Sequence, residues 1–75
     1  MPPVLALYED VFANGAALAL PAGARMIFLV HGGATIAGRA LRDGEAWCGE
    51  DAVAVTAGGE GATCWRYELA APPGP

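Results

Sequence analysis

Reactive side chains are few in this chain, and their types limit its chemistry. There is one histidine, His31, two cysteines, Cys48 and Cys64, and neither serine nor lysine. Nucleophilic catalysis would fall to a cysteine or to Thr35, Thr56 or Thr63, with a base in hydrogen-bond reach. His31 is the only imidazole that could act as that base. It stands beside Gly32 at the end of an apolar run, where a lone histidine is more often a surface residue. The cysteines are too far apart for a C-x-x-C redox pair. In a reducing compartment they are expected as free thiols, packing as small buried hydrophobes. The acids Glu9-Asp10 and Glu50-Asp51 are adjacent pairs. Neighbours on a strand point to opposite faces, so neither pair forms a carboxylate dyad, and both are expected as solvated turn residues. Gly58-Gly59-Glu60-Gly61 lacks the lysine and following helix of a phosphate loop, and Glu60 would repel phosphate, so it is expected as a flexible turn.

Charge narrows the partners. Eight acids against four arginines give a formal charge of −4. Arg25, Arg39, Arg42 and Arg66 are scattered, so no basic stripe exists to release counterions from phosphates. Neither nucleic acid nor an anionic membrane is an expected partner. No basic n-region opens the sequence, and Val11 to Ala24, the longest uncharged run, is broken by Gly15, Pro21 and Gly23. A cytoplasmic location is expected.

The elements that must position these groups are strands. Asn14-Gly15, Pro21-Ala22-Gly23, Gly32-Gly33, Asp43-Gly44 and Gly58–Gly61 separate apolar runs, and such pairs tolerate the positive φ of tight hairpin turns. The spacing predicts strands at Val4–Tyr8, Ala16–Leu20, Arg25–His31, Ala34–Ala37, Arg39–Arg42, Glu45–Trp47, Asp51–Thr56 and Thr63–Ala70. Thr63–Ala70 alternates, with Trp65, Tyr67 and Leu69 on one face and Cys64, Arg66 and Glu68 on the other. Met26 to Val30 is apolar throughout, as in a central strand covered on both sides. The prediction is one all-β domain over residues 4–70, with residues 1–3 and 71–75 frayed. Seventy-five residues bury only about 60–65% of their unfolded surface, so a second copy completing the core is expected.

Three stretches in order resemble the cupin family. Leu20-Pro21-Ala22-Gly23 resembles the turn accompanying the first cupin motif. Phe28-Leu29-Val30-His31-Gly32-Gly33-Ala34-Thr35-Ile36 resembles the strand–turn–strand closing that motif, and Glu50-Asp51-Ala52-Val53-Ala54-Val55-Thr56-Ala57-Gly58 resembles the opening of the second. The resemblance covers roughly Ala16 to Leu69. It implies a small cupin-like double-stranded β-helix, a jelly-roll barrel or sandwich. The family's metal-ligating glutamate would fall on Arg25, its paired histidines near Leu18 and Leu20, and its last histidine on Gly61. None of these four can hold a cation, so no metal and no cofactor are expected.

The remaining candidates form a ligand wall. Trp65 and Tyr67 share a face, Trp47 belongs to another strand, and Met26 and Phe28 complete an apolar group that either packs the core or lines a cavity. Arg25 or Arg66 would then fix a carboxylate or similar anion. The functional expectation is a non-catalytic, homodimeric cupin-like domain that binds a small apolar or anionic molecule. The alternatives are a degenerate metal-dependent cupin enzyme of dioxygenase or isomerase type, and a structural or regulatory assembly module with a filled barrel.

Overall fold

The computed structural model describes residues 4–70, and every regular element among them is a strand. β1 (Val4–Phe12), β2 (Ala17–Leu20), β3 (Arg25–Ile36), β4 (Arg39–Arg42), β5 (Ala46–Gly49) and β6 (Val53–Ala70) form one antiparallel sheet. The predicted frayed ends lie outside the described residues.

β3 and β6 are the spine. They pair from Arg25↔Glu68 to Gly32↔Ala62 and again from Ala34↔Ala57 to Ile36↔Val55. β1 borders the C-terminal half of β6 and β2 its N-terminal half. β5 borders the N-terminal half of β3 and β4 its C-terminal half. Two strand sets result, β1-β6-β3-β5 and β2-β6-β3-β4, which share the spine.

Chain length forces this sheet to fold over. Leu20 pairs with Val53 and Arg25 with Glu68, yet only Pro21–Ala24 lie between Leu20 and Arg25. That link reaches at most about 18 Å. On a straight strand, at about 3.3 Å per residue, Val53 and Glu68 would be roughly 50 Å apart. β6 therefore doubles back at Gly58–Gly61 and β3 bends with it at Gly32-Gly33. The link straps the open end: Gly23 N donates to Glu50 O at 2.8 Å, and Leu69 N to Ala24 O at 3.0 Å. At the bend the backbones of β1, β6 and β3 nearly touch. A Cβ on Gly32 (φ +96°) would strike the Gly61 carbonyl, and one on Gly61 (φ +75°) would strike that of Phe12. Only glycine fits both positions.

The turn glycines therefore act differently from the sequence expectation. Gly32-Gly33 and Gly58–Gly61 lie inside strands, as bends rather than hairpin or flexible turns, and eight expected strands become six. At Asn14-Gly15 and Asp43-Gly44 the chain does turn, but the flanking strands lie end to end along one neighbour, not against each other. The two-residue hairpin is Ala37-Gly38, between paired Ile36 and Arg39, with φ of +52° and +77°. Both values suit a type I′ turn.

The core contains Ile27, Leu29, Ile36, Val55 and Cys64, all nearly inaccessible, with Leu20, Leu41 and Val53 beside them. Inward parity changes along both spine strands. In β3, Arg25, Ile27 and Leu29 face in; the register then slips between Leu29 and His31, and Ala34 and Ile36 face in. In β6, Val53, Val55 and Ala57 face in before the glycine bend, Ala62 and Cys64 after it. Met26, Phe28 and Val30 are consequently only half-buried, so the run is not covered on both sides. Trp65 and Leu69 are exposed and Tyr67 half-buried on the outer face, which corrects the expectation that this aromatic face packs the core or lines the interior.

Candidate functional site

Inward of the β1-β6-β3-β5 half, near the strapped end, four charged side chains form a ladder. Arg66 Nε donates to Asp10 Oδ2 at 2.8 Å and its Nη2 to Asp10 Oδ1 at 3.3 Å. Its Nη1 donates to Glu68 Oε2, and Arg25 Nη2 donates to the other oxygen, Glu68 Oε1, at 3.2 Å. The register builds this order: Tyr8 is level with Arg66 and Ile27, and Ala6 with Glu68 and Arg25. The Tyr8 ring also lies against the Arg66 guanidinium, 4.3 Å from its centre. The hydrogen-bonded Asp10 carboxylate, ahead of Glu68, holds the Arg66 guanidinium above its ordinary value.

Arg25 differs from its neighbours in the ladder. Its side chain is 1% exposed, and Nε and Nη1 have no acceptor. Its Nη2 lies under the strap, 3.4 Å from where a Cβ on Gly23 would stand. At the same end of the molecule a groove of about 470 Å³ runs between Leu5, Met26, Cys48, Tyr67 and Leu69, with Arg25 and Glu50 also lining it. A second groove, of about 480 Å³, lies at the bend between Gly32-Gly33, Arg42 and Gly58-Gly59. Asp43 and Glu60 also line it. There Asp43 Oδ1 accepts from Gly32 N at 2.7 Å, and Asp43 Oδ2 is 3.5 Å from Nδ1 of the exposed His31.

The sequence-predicted residues divide between two faces. Arg25, Arg66 and Trp47 belong to the inner face, with Trp47 packed against the core. Met26, Phe28, Trp65 and Tyr67 lie on the outer face, where Phe28 and Trp65 rings are 6.1 Å apart. Of the seven, Arg25, Met26 and Tyr67 line the groove, Met26 and Tyr67 with side chains on its outer face, while the Arg25 side chain turns inward to Glu68. Arg66 is fully engaged by Asp10 and Glu68. Glu9 and Asp10 are strand residues rather than solvated turn residues: Glu9 accepts from Trp65 Nε1 at 3.1 Å on the outer face, while Asp10 pairs inside. Both cysteines are free, Cys64 buried and Cys48 exposed, so only Cys64 packs as a hydrophobe. Burial first, and the nearby Asp10 charge second, push the Cys64 thiol up. It is buried while His31 is exposed, so the pair is not set up as nucleophile and base.

Sequence reasoning missed Asp10, Glu68 and Tyr8 as members of the ladder. One signal was present: Arg66 and Glu68 are two apart on one strand, so opposite charges share a face and invite partners from the neighbouring strands. Among the described residues no group of three His, Cys, Asp or Glu side chains is placed to hold a metal ion. Nor is there among the described residues a helix long and apolar enough to cross a membrane. Scans against protein-family models, curated proteins and solved structures gave no match to this chain.

Proposed function

We propose that this chain is a cupin-like jelly roll that works by self-association rather than by catalysis, with a second copy docking on the β1 edge. The strand order supports the jelly-roll reading. Counting the two halves of β3 and β6 separately gives eight segments in two four-stranded sets, with the first segment beside the last. Jelly rolls are built this way. Arg25, where the resemblance puts the family's glutamate, forms an ion pair with Glu68, which suits a domain without metal chemistry.

The observation that carries the reading is where the apolar surface lies. Among the described residues, the six large exposed hydrophobic side chains are all on β1 or its neighbour β6: Leu5, Leu7, Tyr8, Val11, Trp65 and Leu69, with Val11 73% exposed. Among the described residues β1 pairs only with β6, so its outer edge also presents backbone donors and acceptors with no strand partner there. Its nine residues contain neither lysine nor proline to blunt that edge. A two-fold β1-to-β1 pairing would satisfy the backbone and cover the leucines and valine with their own copies, closing the assembly at two.

Light scattering with sedimentation at tens of micromolar should give twice the 7.6 kDa chain mass. Leu7→Lys, at a surface position, should give a monomer with an unchanged circular dichroism spectrum. A wild-type monomer at that concentration, or a Leu7→Lys dimer, overturns the reading. The filled-barrel alternative is the stronger of the other two, because the ladder occupies part of the interior.

A further inference from the structure

We infer that the outer face binds a small methylated ammonium ion between Trp65, Tyr67, Leu7 and Glu9. These four side chains stand on one side of the sheet in two cross-strand pairs, Leu7 level with Tyr67 and Glu9 level with Trp65. They line a surface pocket of about 300 Å³. Tyr8 also borders it, but its ring lies against Arg66 on the inner face. Unlike the ladder, this site is open: Trp65 is 40% exposed, with exposed Leu7 and Glu9 beside it. Aromatic rings attract a cation through the negative potential of their faces, and the Glu9 carboxylate adds a full charge. Glu9 Oε2 accepts from Trp65 Nε1 at 3.1 Å, which holds the indole across the β1–β6 pair. Among the described residues Glu9 has no ion pair, whereas Asp10 and Glu68 are matched by arginines. The formal charge of −4 also favours a cationic guest. Hydration sets the preference for a methylated one. A primary ammonium carries three N–H donors that need acceptors, and the pocket offers a single carboxylate. A fully methylated nitrogen has none to match, and its methyl groups pack on the rings and on Leu7. Pairing at the β1 edge would add a strand beside Leu7 and leave Trp65 and Tyr67, one strand further in, uncovered.

The test is an NMR titration of the full chain with choline, with dimethylbutanol, its uncharged isostere carrying carbon in place of nitrogen, and with ethanolamine, its primary-ammonium counterpart. Choline should bind saturably at one per chain, shifting the Trp65 indole N–H and the amides of Leu7 and Tyr67 while leaving the Trp47 indole in place. Dimethylbutanol should bind roughly tenfold more weakly, and ethanolamine should also bind more weakly than choline. Glu9→Gln keeps an acceptor for the indole and removes the charge; it should bring choline down several-fold and leave dimethylbutanol unchanged. Trp65→Leu keeps an apolar side chain and removes the ring; it should abolish the preference for choline over dimethylbutanol. If either variant does not fold, the contrast between choline and its isostere on the wild type still decides. Equal binding of those two, choline shifts that do not saturate or that centre away from Trp65 and Tyr67, or wild-type choline affinity in a folded Glu9→Gln, overturns the proposal.

Discussion

Behind the β2-β6-β3-β4 half of the sheet the interior is hydrocarbon: Leu18, Leu20, Val53, Val55, Ala34, Ile36 and Leu41 interlock with no charged group among them. Behind the β1-β6-β3-β5 half, toward the strap, the same inward positions carry Asp10, Arg66, Glu68 and Arg25. The two halves share β3 and β6 and differ in what the spine turns inward. The first gains stability from area removed from water, which any well-fitting apolar side chain supplies. The second depends on mutual satisfaction. An ion pair in a low-dielectric interior offsets its desolvation only while every member is present, and removing one leaves its partner uncompensated. The halves should therefore respond differently to single and double substitution.

The largest effect belongs to the apolar half. Ile36→Ala, at a fully inaccessible position, should cost about 2–5 kcal/mol through lost transfer energy and the remaining cavity. In a domain of this size that is a large share of the total stability. Arg66→Met should cost less, about 2 kcal/mol, because Asp10 and Glu68 retain some contact with water and can regain hydration. The sharper contrast lies in the second change. Asp10→Val with Arg66→Met leaves Glu68 and Arg25 as a one-to-one pair and should recover most of the single-variant loss. Urea midpoints for the four members of the cycle measure this directly. Strict additivity would mean that the ladder residues contribute independently, and the contrast between the halves would fail.

The two cysteines mark the boundary in a second way. Cys64 lies inside beside Asp10 and Cys48 outside, so a thiol reagent at pH 8 should label Cys48 rapidly and Cys64 only as the chain opens. The folded thiol of Cys64 is held above its ordinary value of 9.0, so folding favours the protonated form. Its contribution is complete below about pH 9 and is lost as pH rises through the range up to the folded value, at up to about 1.4 kcal/mol per pH unit. Cys64→Val should flatten that alkaline decline. A wild-type stability that stays level from pH 8 to 10.5 would mean that the site is wetter than its burial indicates.

Much of this architecture could be read in advance and some could not, for local reasons. Glycine-rich punctuation with short alternating runs predicts an all-β chain, and that is the fold. The alternation of Cys64, Arg66 and Glu68 against Trp65, Tyr67 and Leu69 was visible too. Which face points inward was not. Parity is reset by the slip at Val30 and by the four-residue glycine bend at Gly58–Gly61, and a strand pattern read in isolation cannot detect either event. The usual presumption that aromatics go inside then assigned the wrong face, because it gives no weight to charges that find partners on two neighbouring strands. Glycine pairs carry the same ambiguity. Asn-Gly and Gly-Gly permit positive φ but do not say whether the chain reverses or bends, whereas the one tight hairpin uses Ala37, a residue with no turn signature.

That hairpin separates the halves once more, in folding order. Among the described residues β3 and β4 are the only sequence neighbours that pair, and they do so in the apolar half; β1 and β5 find partners farther along the chain. Local closure costs little loop entropy, so folding is expected to start at the Ile36–Arg39 end. Ala37 holds φ +52° at an exposed position, a conformation that alanine resists and asparagine tolerates. Ala37→Asn should therefore stabilise the protein by about 0.5–1 kcal/mol, a rise of about 2–8 °C in Tm. In a stopped-flow chevron the gain should appear in the folding arm, because the turn is already formed at the barrier, whereas the Arg66→Met loss should appear in the unfolding arm. A gain confined to slower unfolding would place the nucleus elsewhere, and the long-range β1–β6 pairing would then have to form first.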